Sequence, residues 1–200
     1  MAQDAQKIHV GAARIFLGPV GTAVPPTSSA PPTLSVHTAG VPSTPQVGFV
    51  EAGHTFEDTV FEYTPEILDI ESEQVFGIVD TAVISQGGKL TFTAQERTYA
   101  TLRAAFGGIG SVDDTDKTLF YAGGVFAVQS HVVILTSPRR DNPAKFEVLT
   151  LYRAQSVEGV KLPYSRKTPS RYAVTLRAVH DASRVVGDQL FQWFREKDAV

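Results

Sequence analysis

The sequence predicts a mainly β protein: an antiparallel β-sandwich or barrel with one packed α-helix at about 94–106 and a long Pro/Ser/Thr-rich loop at 22–46. Three observations carry this. Segments of alternating apolar and polar residues recur along the chain, turn residues punctuate them, and only one stretch has helical periodicity with capping signals at both ends. At 200 residues the chain is long enough for one domain spanning 1–200 with a substantial core, and too short for two ordinary ones.

The first strand is Ala13-Arg14-Ile15-Phe16-Leu17, closed by the turn chemistry of Gly18-Pro19-Val20-Gly21. Residues 22–46 then hold six Pro and nine Ser or Thr, with Val24, Leu34, Val36 and Val41 as the only large apolar residues. Such a segment buries too little surface to offset its ordering entropy, so it is expected to be an exposed loop or arm. Val60-Phe61-Glu62-Tyr63-Thr64 alternates, and Ile67-Leu68-Asp69-Ile70-Glu71 does so again beyond Pro65. Residues 72–86 have no clear period, and Gly87-Gly88 reads as a turn before the strand Lys89-Leu90-Thr91-Phe92-Thr93.

For the helix, Thr93 and Glu96 form a Thr-x-x-Glu capping box, Tyr99, Leu102 and Phe106 recur on one face, and Gly107 supplies the closing residue. Residues 108–117 read as a loop. Strands are expected at His131–Thr136, Lys145–Ala154 and Arg171–Val179, the last with Tyr172, Val174 and Leu176 on a common face. The segment 188–197, around Leu190-Phe191-Gln192-Trp193-Phe194-Arg195, fits a short amphipathic helix as well as an edge strand.

The formal net charge of −3 conceals an uneven distribution. Between Arg14 and Lys89 there is no Lys or Arg, and that gap holds nine acids, among them Glu62, Glu66, Asp69, Glu71 and Glu73. The stretch Arg139–Arg177 has nine bases, including Arg139, Arg140, Lys145, Arg166, Lys167 and Arg171, against three acids. An acidic and a basic region can neutralise each other within one fold or pair between copies.

Little else points to chemistry. With no cysteine, disulfides, thiolate metal sites and thiol catalysis are excluded. The five histidines have no metal-ligand spacing, and Asp113-Asp114-x-Asp116 lacks the central Gly and terminal Glu of a calcium loop, so it reads as a solvated turn. Gly107-Gly108-Ile109-Gly110 follows a helix, the wrong topology for cradling phosphate. Glu62, Glu66, Asp69, Glu71 and Glu73 could supply a pair of carboxylates for glycoside hydrolysis, but so dense a run fits a solvated face better. The basic stretch, interleaved with Tyr152, Tyr164 and Tyr172, could bind single-stranded nucleic acid; balance against the acidic third is the simpler reading. No cofactor is expected. The N-terminus lacks a basic segment followed by an apolar one, and no window approaches 18 apolar residues, so a cytoplasmic site of synthesis and no membrane role are expected.

The order of the segments adds a family resemblance. Ala12-Ala13-Arg14-Ile15-Phe16-Leu17-Gly18-Pro19, a Pro/Thr-rich insert, Val47-Gly48-Phe49-Val50-Glu51-Ala52-Gly53-His54-Thr55 and Val60-Phe61-Glu62-Tyr63-Thr64-Pro65-Glu66 follow one another. Asp69-Ile70-Glu71-Ser72-Glu73-Gln74, Leu90-Thr91-Phe92-Thr93 and Leu102-Arg103-Ala104-Ala105-Phe106-Gly107-Gly108 complete the series. Over the first 110 residues this resembles the tail tube proteins, or major tail proteins, of long non-contractile-tailed bacteriophages. The resemblance implies a β-sandwich with a flanking helix, no catalysis, and hexameric rings of the chain stacked as a hollow tail tube through which DNA passes. It further implies the tape measure, tail terminator and tail-tip proteins as partners, DNA transit without specific binding, and a place in the virion tail after assembly in the host cytoplasm. On that reading Glu62, Glu66, Asp69, Glu71 and Glu73 are candidates for the lumen lining or a ring contact. Arg139, Arg140, Lys145, Arg166, Lys167 and Arg171 are candidate contacts between subunits.

Overall fold

A computed structural model describes residues 13–21, 49–72, 75–107, 110–124, 127–139, 142, 145–164 and 171–195. The Pro/Ser/Thr-rich segment 22–46 lies outside them. The strands are β1 (Arg14–Pro19), β2 (Val50–Glu51), β3 (Thr55–Ser72), β4 (Val75–Ala94), β5 (Gly110–Asp113), β6 (Thr118–Tyr121), β7 (Ser130–Pro138), β8 (Phe146–Ser156), β9 (Tyr172–Ala178) and β10 (Phe191–Arg195), with one helix, α1 (Tyr99–Phe106). The expected mainly β fold with a single helix is therefore present.

One eight-stranded antiparallel sheet runs in the order β2-β1-β7-β8-β9-β4-β3 and curls into a half-barrel. β8 divides its second edge: residues 147–151 pair with β10, and Ala154–Ser156 pair with β9. The tail is thus an edge strand. Central strands are apolar on both faces because both are covered. Ile15, Leu17, Leu90, Phe92, Val133, Leu151, Val174 and Leu176 fill the larger cluster, while Phe16, Phe49, Val132, Ile134 and Val148 form a second. Tyr172, Val174 and Leu176 share a buried face as expected. Short β2 is fixed to β1 by a two-pronged ion pair, with Arg14 Nε and Nη2 donating to the Glu51 carboxylate at 2.6 and 2.5 Å.

Four local expectations are corrected. Residues 60–71 form one strand rather than two, because β3 is the outermost strand among the described residues and an edge tolerates Pro65. Gly87-Gly88 lies inside β4, not in a turn. The Phe61 ring crosses Gly88 so closely that a Cβ there would sit 3.3 Å from it and 3.3 Å from Ala178 Cβ. Residues 110–113 and 118–121 form the β5–β6 hairpin, with the Asp113-Asp114 turn at its tip. Finally, Thr93 belongs to β4, and α1 is capped by Thr98, whose Oγ1 accepts from the Thr101 N–H at 3.3 Å.

Of the expected stripe Tyr99, Leu102 and Phe106, only Leu102 packs against the main core, and the most buried face of the helix is one of smaller residues. Thr101, Ala104 and Ala105 are buried, small enough to bring the helix close to the sheet. Tyr99 and Phe106 instead pack on Phe120 of β6, each with ring centroids 5.6 Å apart. Gly107 closes the helix at φ +69°.

Candidate assembly surface

β4 is held by β9 only from Lys89 to Ala94. Among the described residues it pairs beyond Lys89 with β3 alone and β3 has no outer neighbour, so the two strands leave the sheet as a two-stranded ribbon. Every described side chain from Glu62 to Ile70 and from Asp80 to Gln86 is exposed. Ile67, Leu68, Ile70, Val83 and Ile84 are each 43–58% exposed. An isolated pair of strands is marginal in water, and several adjacent exposed aliphatic side chains on it mark a surface made for contact.

The register sorts the ribbon's side chains onto two faces. Phe61 opposes the buried Leu90, Tyr63 opposes Gly88, and Ile67 opposes Val83, so Phe61, Tyr63, Pro65 and Ile67 continue the inward face of the sheet. Glu62 opposes Lys89 and Glu66 opposes Ser85 on the other face, where Ser85 Oγ donates to the Glu66 carboxylate at 2.7 Å. Alternation along β3 also separates Asp69 from these two glutamates. The ribbon therefore has one side that grows out of the core with Phe61, Tyr63, Pro65 and Ile67 and ends in Asp69, and another that carries Glu62 and Glu66 and, beyond them, Leu68 and Ile70.

At the ribbon's root, the side bearing Phe61 and Tyr63 opens into a groove of about 430 Å³. Phe61, Tyr63, Leu135, Leu149, Phe191 and Trp193 form its walls, with Ser137 and Glu147 at its polar end. Phe191 meets both β3 aromatics edge to face, at centroid distances of 5.0 Å to Phe61 and 5.4 Å to Tyr63. Trp193, the chain's only tryptophan, is 57% exposed there. Arg195 Nε lies 3.2 Å from the Glu147 carboxylate.

The expected site residues are thus only partly brought together. Glu62 and Glu66 share a face and Asp69 takes the other; the backbone of Glu71 lies in β3, and Glu73 is outside the described residues. On the basic side, Arg139 is buried, at 6% exposure, and is withdrawn from the surface a second subunit could touch. Lys145 is half-buried before β8, and Arg171 is exposed with its guanidinium carbon 3.2 Å from the centre of the Phe56 ring. Arg140, Arg166 and Lys167 lie outside the described residues. The groove was not legible in sequence, although a lone tryptophan in an ambiguous tail was its one signal. Among the described residues, no group of three or more His, Asp or Glu could hold a metal ion.

The family described as phage tail tube protein matches residues 1–146 of this chain. The chain belongs to that family. It is a structural protein of the bacteriophage tail, and the resemblance seen in its first 110 residues extends through β7 to the start of β8. No curated protein matches it. The tail tube match contains the whole ribbon, whereas Leu149, Phe191 and Trp193, which complete the groove, stand beyond its end.

Proposed function

We propose that this tail tube protein is a non-catalytic, self-assembling subunit, six copies of which close into a ring, with rings stacked into a hollow tube through which DNA passes at infection. The observation that carries the reading is the ribbon, an element exposed on both faces whose aliphatic side chains are left 43–58% exposed with no cover among the described residues. An exposed element on one part of a subunit and a groove on another favour head-to-tail contacts, which close into rings or extend into tubes. The Glu62 and Glu66 face suits a lumen lining, since carboxylates repel a phosphate backbone and let it slide. Glu71, Glu73 and Asp69 would then flank that lining or lie at ring contacts. Lys145 and Arg171, with Arg140, Arg166 and Lys167, would meet acids of neighbouring copies.

In this reading the subunit assembles in the host cytoplasm, takes its place in the virion tail, and contacts the tape measure, terminator and tail-tip proteins. Electron microscopy of the purified protein at high concentration, with and without tail-tip proteins, tests it. Rings or hollow filaments are expected; a strictly monomeric species under both conditions overturns it.

A further inference from the structure

We propose that the cavity between α1 and the start of β7 is a binding site for a carboxylate carried on a short apolar body, held by the Arg103 guanidinium and the Ser130 hydroxyl. The site shares no residue with the ribbon or its groove and does not rest on the tube reading.

The cavity, of about 480 Å³, is of the size that small ligands occupy. Leu17, Val50, Tyr99 and Ala100 give it apolar walls, and Arg103, Gln129, Ser130 and His131 supply its polar lining. No Asp or Glu lines it, so the one formal charge in its walls is positive.

The polar groups there have hydrogen-bonding capacity that no described residue uses. Arg103 is half-buried, and its Nε donates to the amide oxygen Oε1 of Gln129. Among the described residues no carboxylate pairs with it, and its two terminal amino groups have no acceptor. Other partly buried arginines are matched, Arg14 with Glu51 and Arg184 with Asp188. A half-buried cation without a counter-ion costs free energy that a bound anion offsets. Ser130 Oγ accepts from Arg153 Nε at 3.2 Å and from Gln155 Nε2 at 2.9 Å. Both its lone pairs are thereby occupied, and its own hydrogen is left for an acceptor. His131, nine-tenths buried, adds Nε2 as a third polar atom without a partner among the described residues. Donors that lack an acceptor, in a cavity with no anion of its own, select an anionic acceptor.

The arginine is held ready for it. Its guanidinium carbon lies 5.7 Å from the centre of the Tyr99 ring, which is itself stacked on Phe120 at 5.6 Å with its hydroxyl 3.0 Å from Ser111 Oγ. With Nε engaged by Gln129, the planar fork is oriented before a ligand arrives, so less entropy is lost on binding. One fork and one hydroxyl suit the two oxygens of a carboxylate. A phosphate dianion would exceed the single positive charge, and the apolar walls favour a hydrocarbon body. The same chemistry occurs in a free organic acid and in an acidic peptide side chain flanked by apolar residues.

Isothermal titration calorimetry of the purified protein with hexanoate, hexanamide, inorganic phosphate and the blocked tripeptide acetyl-Leu-Glu-Leu-amide tests the site. Hexanoate or the peptide is expected to bind with a Kd below about 10 mM, and the tighter of the two names the source. Arg103→Gln is expected to weaken that binding about ten- to a hundredfold. Ala100→Asp puts a carboxylate three residues before Arg103, on a helix whose first turn has no acid. It is expected to abolish binding while keeping or raising the melting temperature, so that loss of binding there does not come from unfolding. Binding of neither carboxylate up to about 10 mM overturns the proposal. So does hexanamide or phosphate binding as tightly as hexanoate, and so does an affinity unchanged in either variant.

Discussion

Phe61 on β3 and Phe191 on β10 meet edge to face with ring centroids 5.0 Å apart, joining strands 130 residues distant in the chain. Among the described residues β10 is bonded only to β8, so this contact and its neighbour at Tyr63 tie the tail to the far end of the curled sheet. Aromatic pairs in this geometry contribute about 0.5–1.5 kcal/mol beyond the area they bury. Phe191→Ala removes both pairs together with the ring's burial, and is expected to lower unfolding stability by about 2–3 kcal/mol. Urea denaturation followed by Trp193 fluorescence checks it, and an unchanged midpoint would show that the half-barrel does not depend on this closure.

The helix start gives a second prediction. Thr98 Oγ1 caps α1 and also lies 2.7 Å from Thr101 Oγ1, which is in turn 3.0 Å from the Tyr172 hydroxyl. Thr98→Ala is expected to cost about 1 kcal/mol and to speed exchange of the Thr101 amide proton. Thr93→Ala, five residues earlier on β4, is expected to leave that amide unchanged.

His131 sets a pH dependence. It is 9% exposed on β7, and its Nε2 has no hydrogen-bond partner among the described residues. Burial, followed by the nearby Arg103 guanidinium, pushes its pKa down to about 4 from 6.5. Above pH 6.5 the ring is neutral whether the chain is folded or not. Between pH 6.5 and about 4 the unfolded chain takes up a proton that the folded one refuses, so stability falls as pH falls. By about pH 4 this single group costs about 3 kcal/mol. His131→Gln is expected to flatten the stability profile in that window and to change it little above it; parallel wild-type and variant profiles from pH 7 to 4 would refute the assignment.

For the acidic face, Glu62→Lys/Glu66→Lys is expected to leave tubes intact, because both side chains point away from the side of the ribbon that bears Phe61, Tyr63 and Ile67. If they line the bore, DNA release should slow, and the slowing should be relieved by added salt, since phosphate attraction is screened. Asp69→Lys, on the opposite face beside Ile67, is expected to impair polymerisation instead. Ejection kinetics and electron micrographs of the same particles separate the two outcomes.

Much was determined by local chemistry alone. Alternation in Val60–Thr64, Lys89–Thr93 and Tyr172–Arg177 specified strands, and in the last two also their buried faces, because side chains in a strand alternate whatever the partner is. Gly107 marked the helix end for a similarly local reason. The absence of bases between Arg14 and Lys89 and the serial order of short motifs were legible without any structure, and they pointed to the tail tube family. Tertiary structure decided the rest. Pro65 and Gly87-Gly88 read as breaks because turn statistics assume ordinary neighbours, but an edge position excuses the proline and the Phe61 ring lies close over Gly88, where a Cβ would crowd it. The helix face was decided by how closely α1 approaches the sheet, a distance that favours Thr101, Ala104 and Ala105 over Tyr99 and Phe106. Only the register could place Glu62 and Glu66 together and Asp69 apart, withdraw Arg139 into the interior, and bring Phe61 and Trp193 to one groove. Those relations depend on which strand lies beside which, and contacts between residues more than a hundred positions apart leave no periodic trace in the chain.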